Sequence, residues 1–208
     1  MHSNMTFGTM AALFGVMFVG ALIPGVSVLA VSARSATFGF IHGFFTTLGI
    51  VLGDIIFILF AIFGLSVLAD TMGSLFVLVK YLGGAYLIWL GIALWRSESK
   101  AVQAAGVIDS SLLSSFLTGL FITLGDQKAI LFYLGFFPAF LDLSTISYFD
   151  TGIIIVIAIV AVGGVKLGYV YMADRAGLFF KSTGAVKRIN ITAGTILIGV
   201  GLFLLVRA

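Results

Sequence analysis

The chain contains no cysteine, and its 208 residues include only two histidines, two prolines and 9% charged side chains. Without cysteine there are no disulfides, thiolate metal sites or thiol relays, and the absence says nothing about compartment. With His2 and His42 the only imidazoles, no haem or multi-histidine metal centre, and no other cofactor, is expected. The scarcity of charge excludes a water-soluble domain of this size, because 61% of the residues are hydrophobic and the mean hydropathy is +1.25. Its solvent is lipid. No Ser/Pro-rich linker or low-complexity tract interrupts the chain, so residues 1–208 read as one membrane domain. The pI near 9.3 does not indicate nucleic acid, since the basic residues are few and scattered.

Apolar runs long enough to cross a hydrocarbon core of about 30 Å fall at 5–31, 40–69, 74–96, 115–141, 147–173 and 189–206. The expected fold is therefore an all-α integral membrane protein of six transmembrane helices. Arg34 lies in the first connection, Arg96 and Lys100 in the third, and Arg175, Lys181, Lys187 and Arg188 in the fifth. The second and fourth connections carry only Asp70, Asp142 and Asp150, and the tail carries Arg207. Basic loops stay in the cytoplasm, which puts the odd-numbered connections inside and both termini outside. The start Met-His-Ser-Asn-Met lacks the basic region of a cleavable signal, so the first helix is expected to be retained.

Shifted by 110 residues, Gly53 matches Gly163, Gly84 matches Gly194, Leu87-Ile88 matches Leu197-Ile198, Gly91 matches Gly201 and Leu94 matches Leu204. That shift spans three helices, so halves at about 5–96 and 115–206 would insert in opposite directions as a 3+3 inverted repeat. Chance alignment of Gly- and Leu-rich sequence is the competing explanation. Gly49-x-x-x-Gly53 and Gly164-x-x-x-Gly168 place small residues one turn apart, for close helix packing within the chain, with homodimerisation as the second reading.

Five ionisable side chains sit inside the apolar runs: Asp54, Lys80, Asp126, Lys128 and Lys166. Each costs roughly 2.5–3.5 kcal/mol at the bilayer centre, and chains that keep several use them for substrates, ions or protons. Bland readings exist for each. Asp54 could form a structural ion pair with Lys128 or Lys166, Lys80 and Lys166 could snorkel to an interface, and Tyr81, Tyr86, Trp89 and Trp95 suit an aromatic belt. His42 reads more simply as an interfacial residue than as a relay. Pro24-Gly25 interrupts the first run, and Gly125-Asp126-Gln127-Lys128 interrupts the fourth. Broken helices survive in lipid only beside protein or a wet cavity, so paired breaks mark a candidate site. Asp126 and Lys128 lie about 200° apart on a regular helix, so both line one cavity only where the helix is unwound or approached from two sides.

Ile23-Pro24-Gly25 with Arg34, Gly39, His42-Gly43, Gly49 and Gly53-Asp54, then Tyr81-Leu82-Gly83-Gly84-Ala85-Tyr86-Leu87 with Leu90-Gly91, and finally Lys128-Ala129, Phe132 and Phe137-Pro138 resemble the lysine exporter (LysE/RhtB) family. The resemblance implies a bacterial inner-membrane, multi-pass secondary transporter that exports amino acids or related small metabolites by proton antiport. The family's Pro-Gly-Pro reads Pro24-Gly25-Val26 here, and its Asn-Pro-Lys reads Asp126-Gln127-Lys128. On this analogy Pro24, Gly25, Asp126, Gln127 and Lys128 bind substrate, Lys128 taking a carboxylate and Asp126 an ammonium. Asp54 carries the proton, and Lys166 belongs with it to the coupling site. The alternative is a divalent cation exporter using Asp54 and Asp126. An intramembrane enzyme would need His42 with Ser27 or Ser32, and no Gly-x-Ser-x-Gly elbow is present, so the chain is not expected to be an enzyme.

Overall fold

The computed structural model describes residues 5–64, 111–142 and 145–176, with single helical positions between 81 and 96 and between 191 and 206. Lys80, Tyr86, Asp70, most of the third and sixth apolar runs, and the side chain of Gln127 lie outside the described residues. Among the described residues every regular element is helical: α1 (Phe7–Leu22), α2 (Val26–Phe38), α3 (Phe40–Leu59), α4 (Leu112–Leu124), α5 (Gln127–Phe140), α6 (Tyr148–Ala158) and α7 (Gly164–Ala176). Helices are what an apolar chain must form in lipid, where each backbone polar group needs a partner within the protein. Their starts are set by capping residues. The Thr6 hydroxyl accepts from Thr9 N, the Ser111 hydroxyl accepts from Ser114 N, and Ser147 with Asp150 forms a reciprocal capping box.

Among the described residues two continuous helices are long and apolar enough to cross a membrane. Phe40–Gly64 has 25 residues and Tyr148–Arg175 has 28, which at about 1.5 Å per residue exceed a hydrocarbon core of roughly 30 Å. Each includes a π-helical segment, Phe60–Gly64 after α3 and Ile159–Gly163 between α6 and α7. Among the described residues two further helix pairs are apolar enough for one span each and bent at a short break: α1 and α2 meet at 62°, and α4 and α5 at 58°. The first pair corrects the expected boundary at residue 31. Helix α2 runs on to Phe38, so Arg34 sits within a helix rather than in a connection and is 6% exposed. The connection shrinks to Gly39, whose φ of 88° and ψ of 171° belong to a region that only glycine occupies freely.

Helix α3 lies against α2, α4 and α7. Its closest approach is to α4, and glycines on both helices make it. A Cβ on Gly49 would run into the Phe116 carbonyl, and one on Gly119 into the Thr46 carbonyl. One turn along, a Cβ on Gly53 would stand 2.8 Å from Thr123 Cβ. The Gly49-x-x-x-Gly53 spacing therefore serves helix packing within the chain. Among the described residues, a Cβ on Gly164 or Gly168 meets no atom within 4 Å. Helix α5 carries a stacked aromatic row along one face, with Phe132 and Phe136 centroids 5.2 Å apart and Phe136 and Phe140 centroids 5.0 Å apart.

Gly49→Val should therefore lower stability by about 1–3 kcal/mol or prevent folding, whereas Gly168→Ala should change it little. Thermal unfolding of the two variants in detergent checks this; equal stability would contradict the α3–α4 contact.

Candidate functional site

The two bends bring their broken ends together. Pro24 supplies no backbone N–H, and the carbonyls at the end of α1 lose their regular partners there. Each is satisfied differently. Gly20 O accepts from Ile23 N at 3.3 Å. Ala21 O accepts from Lys166 Nζ at 3.1 Å, and Leu22 O accepts from the Tyr169 hydroxyl at 2.8 Å. Lys166 and Tyr169 are three apart on α7, and so project from one face of it onto the broken end of α1. Lys166 is 3% exposed, so it does not snorkel to an interface.

The second break is closed by its own residues. Gly125 N donates to Phe121 O at 2.9 Å and Asp126 N to Thr123 O at 3.1 Å. Asp126 then caps α5, its Oδ1 accepting from Lys128 N at 2.9 Å. Because Asp126 precedes the helix, it and Lys128 escape the angular separation that a continuous helix would impose.

Between the breaks lies a cavity of about 140 Å³. Its wall includes Gly25 and Ser27 from the first break, Thr123, Asp126 and Lys128 from the second, Asp54 from α3 and Lys166 from α7. Met17, Ile50, Phe132 and Val162 supply apolar surface. Pro24 sits in the first break beside it, and the backbone of Gln127 begins α5. A cavity of about 150 Å³ is enough to hold a benzene-sized molecule, so this space suits a small metabolite. Asp54 is 6% exposed and shares the cavity wall with Lys166, Tyr133 and Asp126. Among the described residues no three His, Cys, Asp or Glu side chains cluster as metal ligands.

Sequence reasoning missed three wall or support residues: Thr123, Tyr133 and Tyr169. Only Tyr169 had a signal, its spacing of three from Lys166. A second polar group also went unnoticed. Arg34 Nη2 donates to Ser114 Oγ at 3.0 Å and Thr118 Oγ1 at 2.9 Å, and His42 Nδ1 lies 3.0 Å from Ser115 Oγ. His42 therefore meets a neighbouring helix rather than only an interface, and the spacing of Ser114, Ser115 and Thr118 on one face of α4 was its trace in the sequence.

Tyr169→Phe keeps the ring but leaves the Leu22 carbonyl without its donor. The expected loss is about 0.6–1.7 kcal/mol of stability, as for other hydrogen bonds between membrane helices, read by thermal unfolding in detergent; an unchanged variant would show that the carbonyl finds another donor.

Known proteins place the chain. It is 51% identical to an uncharacterised membrane protein of Synechocystis over 98% of each chain. It is 30% identical to a leucine efflux protein of Salmonella choleraesuis over 90% of this chain and 87% of that one. A leucine efflux protein of Enterobacter is 35% identical over 65% of this chain and 69% of that one. No solved structure matches. Residues 18–208 match the LysE type translocators, from the last turns of α1 through both breaks to the end of the chain, and the protein belongs to that family.

Proposed function

We propose that the protein is a secondary transporter that exports an amino acid or a related small metabolite across the bacterial cytoplasmic membrane in exchange for protons. The observation that carries this reading is the convergence of two helix breaks, a buried acid and a buried lysine on one small cavity. Membership of a translocator family and similarity to leucine efflux proteins support it.

In this reading the cavity holds the zwitterion. Lys128 takes the carboxylate, and Asp126, which caps α5 through Oδ1, offers Oδ2 to the ammonium. Pro24 and Gly25 open the facing wall, and Gln127 completes the second break. Asp54 carries the proton and Lys166 is its charged counterpart, so a proton arriving at Asp54 changes the balance that holds the end of α1.

The architecture we infer is six spans in a 3+3 inverted repeat with both termini outside. One bent pair and one π-bearing long helix occur in each half, which supports the repeat. The Trp95 indole N–H donates to Ile191 O at 3.1 Å, joining the end of the third run to the start of the sixth. Antiparallel neighbours meeting on the cytoplasmic side would make that contact. Carriers of this type rock one repeat against the other around a fixed site.

Cells expressing the protein and loaded with mixed dipeptides should release particular amino acids faster than control cells, as measured by mass spectrometry of the medium. Asp54→Asn should reduce efflux driven by a pH gradient to the control level while the protein remains folded in the membrane. Efflux left intact in Asp54→Asn would remove the proton from that residue, and no amino-acid efflux by wild type would overturn the exporter reading.

A further inference from the structure

A serine or threonine inside a membrane helix can return its hydroxyl to the carbonyl four residues back, which satisfies the O–H out of water. Five hydroxyls of this protein do so: Thr46 donates to His42 O at 2.8 Å, Thr47 to Gly43 O at 2.9 Å, Ser115 to Ser111 O at 3.2 Å, Thr118 to Ser114 O at 2.6 Å and Thr151 to Ser147 O at 3.1 Å. Thr123 breaks the pattern. It is 3% exposed in the last turn of α4, and among the described residues its Oγ1 meets no hydrogen-bond partner. Its Cβ and methyl are packed on α3, where a Cβ on Gly53 would stand 2.8 Å from each. Packing thus fixes the carbon atoms of the side chain and leaves the hydroxyl unmet. A buried hydroxyl without a partner is costly, and Thr123 lies on the wall of the cavity between the breaks, with Asp54 and Asp126. The same place favours a cation. Helix α4 ends at Leu124, so the negative pole of its dipole falls at Thr123, and the Asp126 carboxylate follows three residues on.

We propose that Thr123 is a substrate-binding residue whose hydroxyl oxygen accepts a hydrogen bond from the ammonium of the transported molecule, beside the Asp126 carboxylate. The proposal rests on the reading of this cavity as the transport site. An ammonium carries several N–H donors and a single carboxylate does not meet them all, whereas the Thr123 oxygen has lone pairs to offer and a hydrogen that rotates out of the way. Binding therefore satisfies an oxygen that no described residue satisfies. The residue adds to affinity and takes away from the stability of the protein without ligand. A structural threonine has the opposite sign, because deleting its hydroxyl lowers stability and leaves binding alone.

The test is thermal unfolding of wild type, Thr123→Val and Thr123→Ser, purified at full length in detergent, with each of the twenty protein amino acids titrated separately. The amino acid that stabilises wild type most is then compared with its des-amino acid, which keeps the carboxylate and lacks the ammonium. Without ligand, Thr123→Val should unfold at the wild-type temperature or above it, and it should bind that amino acid about tenfold more weakly. Thr123→Ser restores the hydroxyl and should bind like wild type. The des-amino acid should bind wild type and Thr123→Val alike, or neither. Equal binding of the amino acid by wild type and Thr123→Val would overturn the proposal and leave the transport reading standing. So would a Thr123→Val that unfolds at a lower temperature or does not fold, since the hydroxyl would then be structural. A des-amino acid that Thr123→Val binds more weakly than wild type does would move the hydroxyl to the carboxylate and overturn the ammonium contact. Wild type stabilised by no amino acid would instead sink the transport reading, and this proposal with it.

Discussion

A backbone carbonyl without a partner is costly anywhere out of water and most of all in lipid, and the arrangement around α1 answers that constraint. The break at Pro24-Gly25 interrupts the backbone ladder, so the Ala21 and Leu22 carbonyls must find other donors, and α7 provides both. This ties the first break to a helix more than a hundred residues away. It also holds Lys166 deep in the protein, on the same cavity wall as Asp54. One helix break thus dictates a hydrogen-bond pair and a buried lysine.

The second break carries local hydrogen bonds instead. Asp126 is its own cap, and Gly125 and Asp126 return their N–H groups to the preceding turn. The contrast gives the cavity one wall secured by α7 and one that carries hydrogen bonds of its own. Helix α3 connects them, through its glycine contact with α4 on one side and Asp54 on the other. A charge change at Asp54 or Lys166 is therefore felt at the end of α1, while α4 and α5 keep their local hydrogen bonds. In the transport cycle we propose, α1 and α7 are the elements whose connection changes.

Much of this was legible in the sequence, because polar groups in apolar runs are costly and therefore stand out. Pro24-Gly25, Asp54, Asp126 and Lys166 were visible for that reason, and Gly49-x-x-x-Gly53 carried a packing signal that the α3–α4 contact explains. The rest was hidden by chemistry that looks ordinary in one dimension. Tyr133, Tyr169 and Thr123 are common residues in membrane helices, and only their partners give them meaning. Asp126 illustrates a different limit: the sequence marks its carboxylate as a candidate ligand, and the structure shows it as the cap of α5. Arg34 was misplaced because a turn reduced to Gly39 leaves no loop for a positive charge to mark. Gly164-x-x-x-Gly168 showed that the same spacing can leave its glycines with no described neighbour.

The transport proposed for this protein requires that the cavity between the two breaks admit water and the transported molecule. Since the chain has no cysteine, a single one placed at Ser27 reports on that cavity alone. The decisive measurement is the rate at which a small maleimide labels Ser27→Cys in membranes, with and without added amino acids. Labelling slowed selectively by the amino acid that the cells release is the predicted result. A thiol that never reacts, or one that reacts at the same rate whatever amino acid is present, would contradict the account.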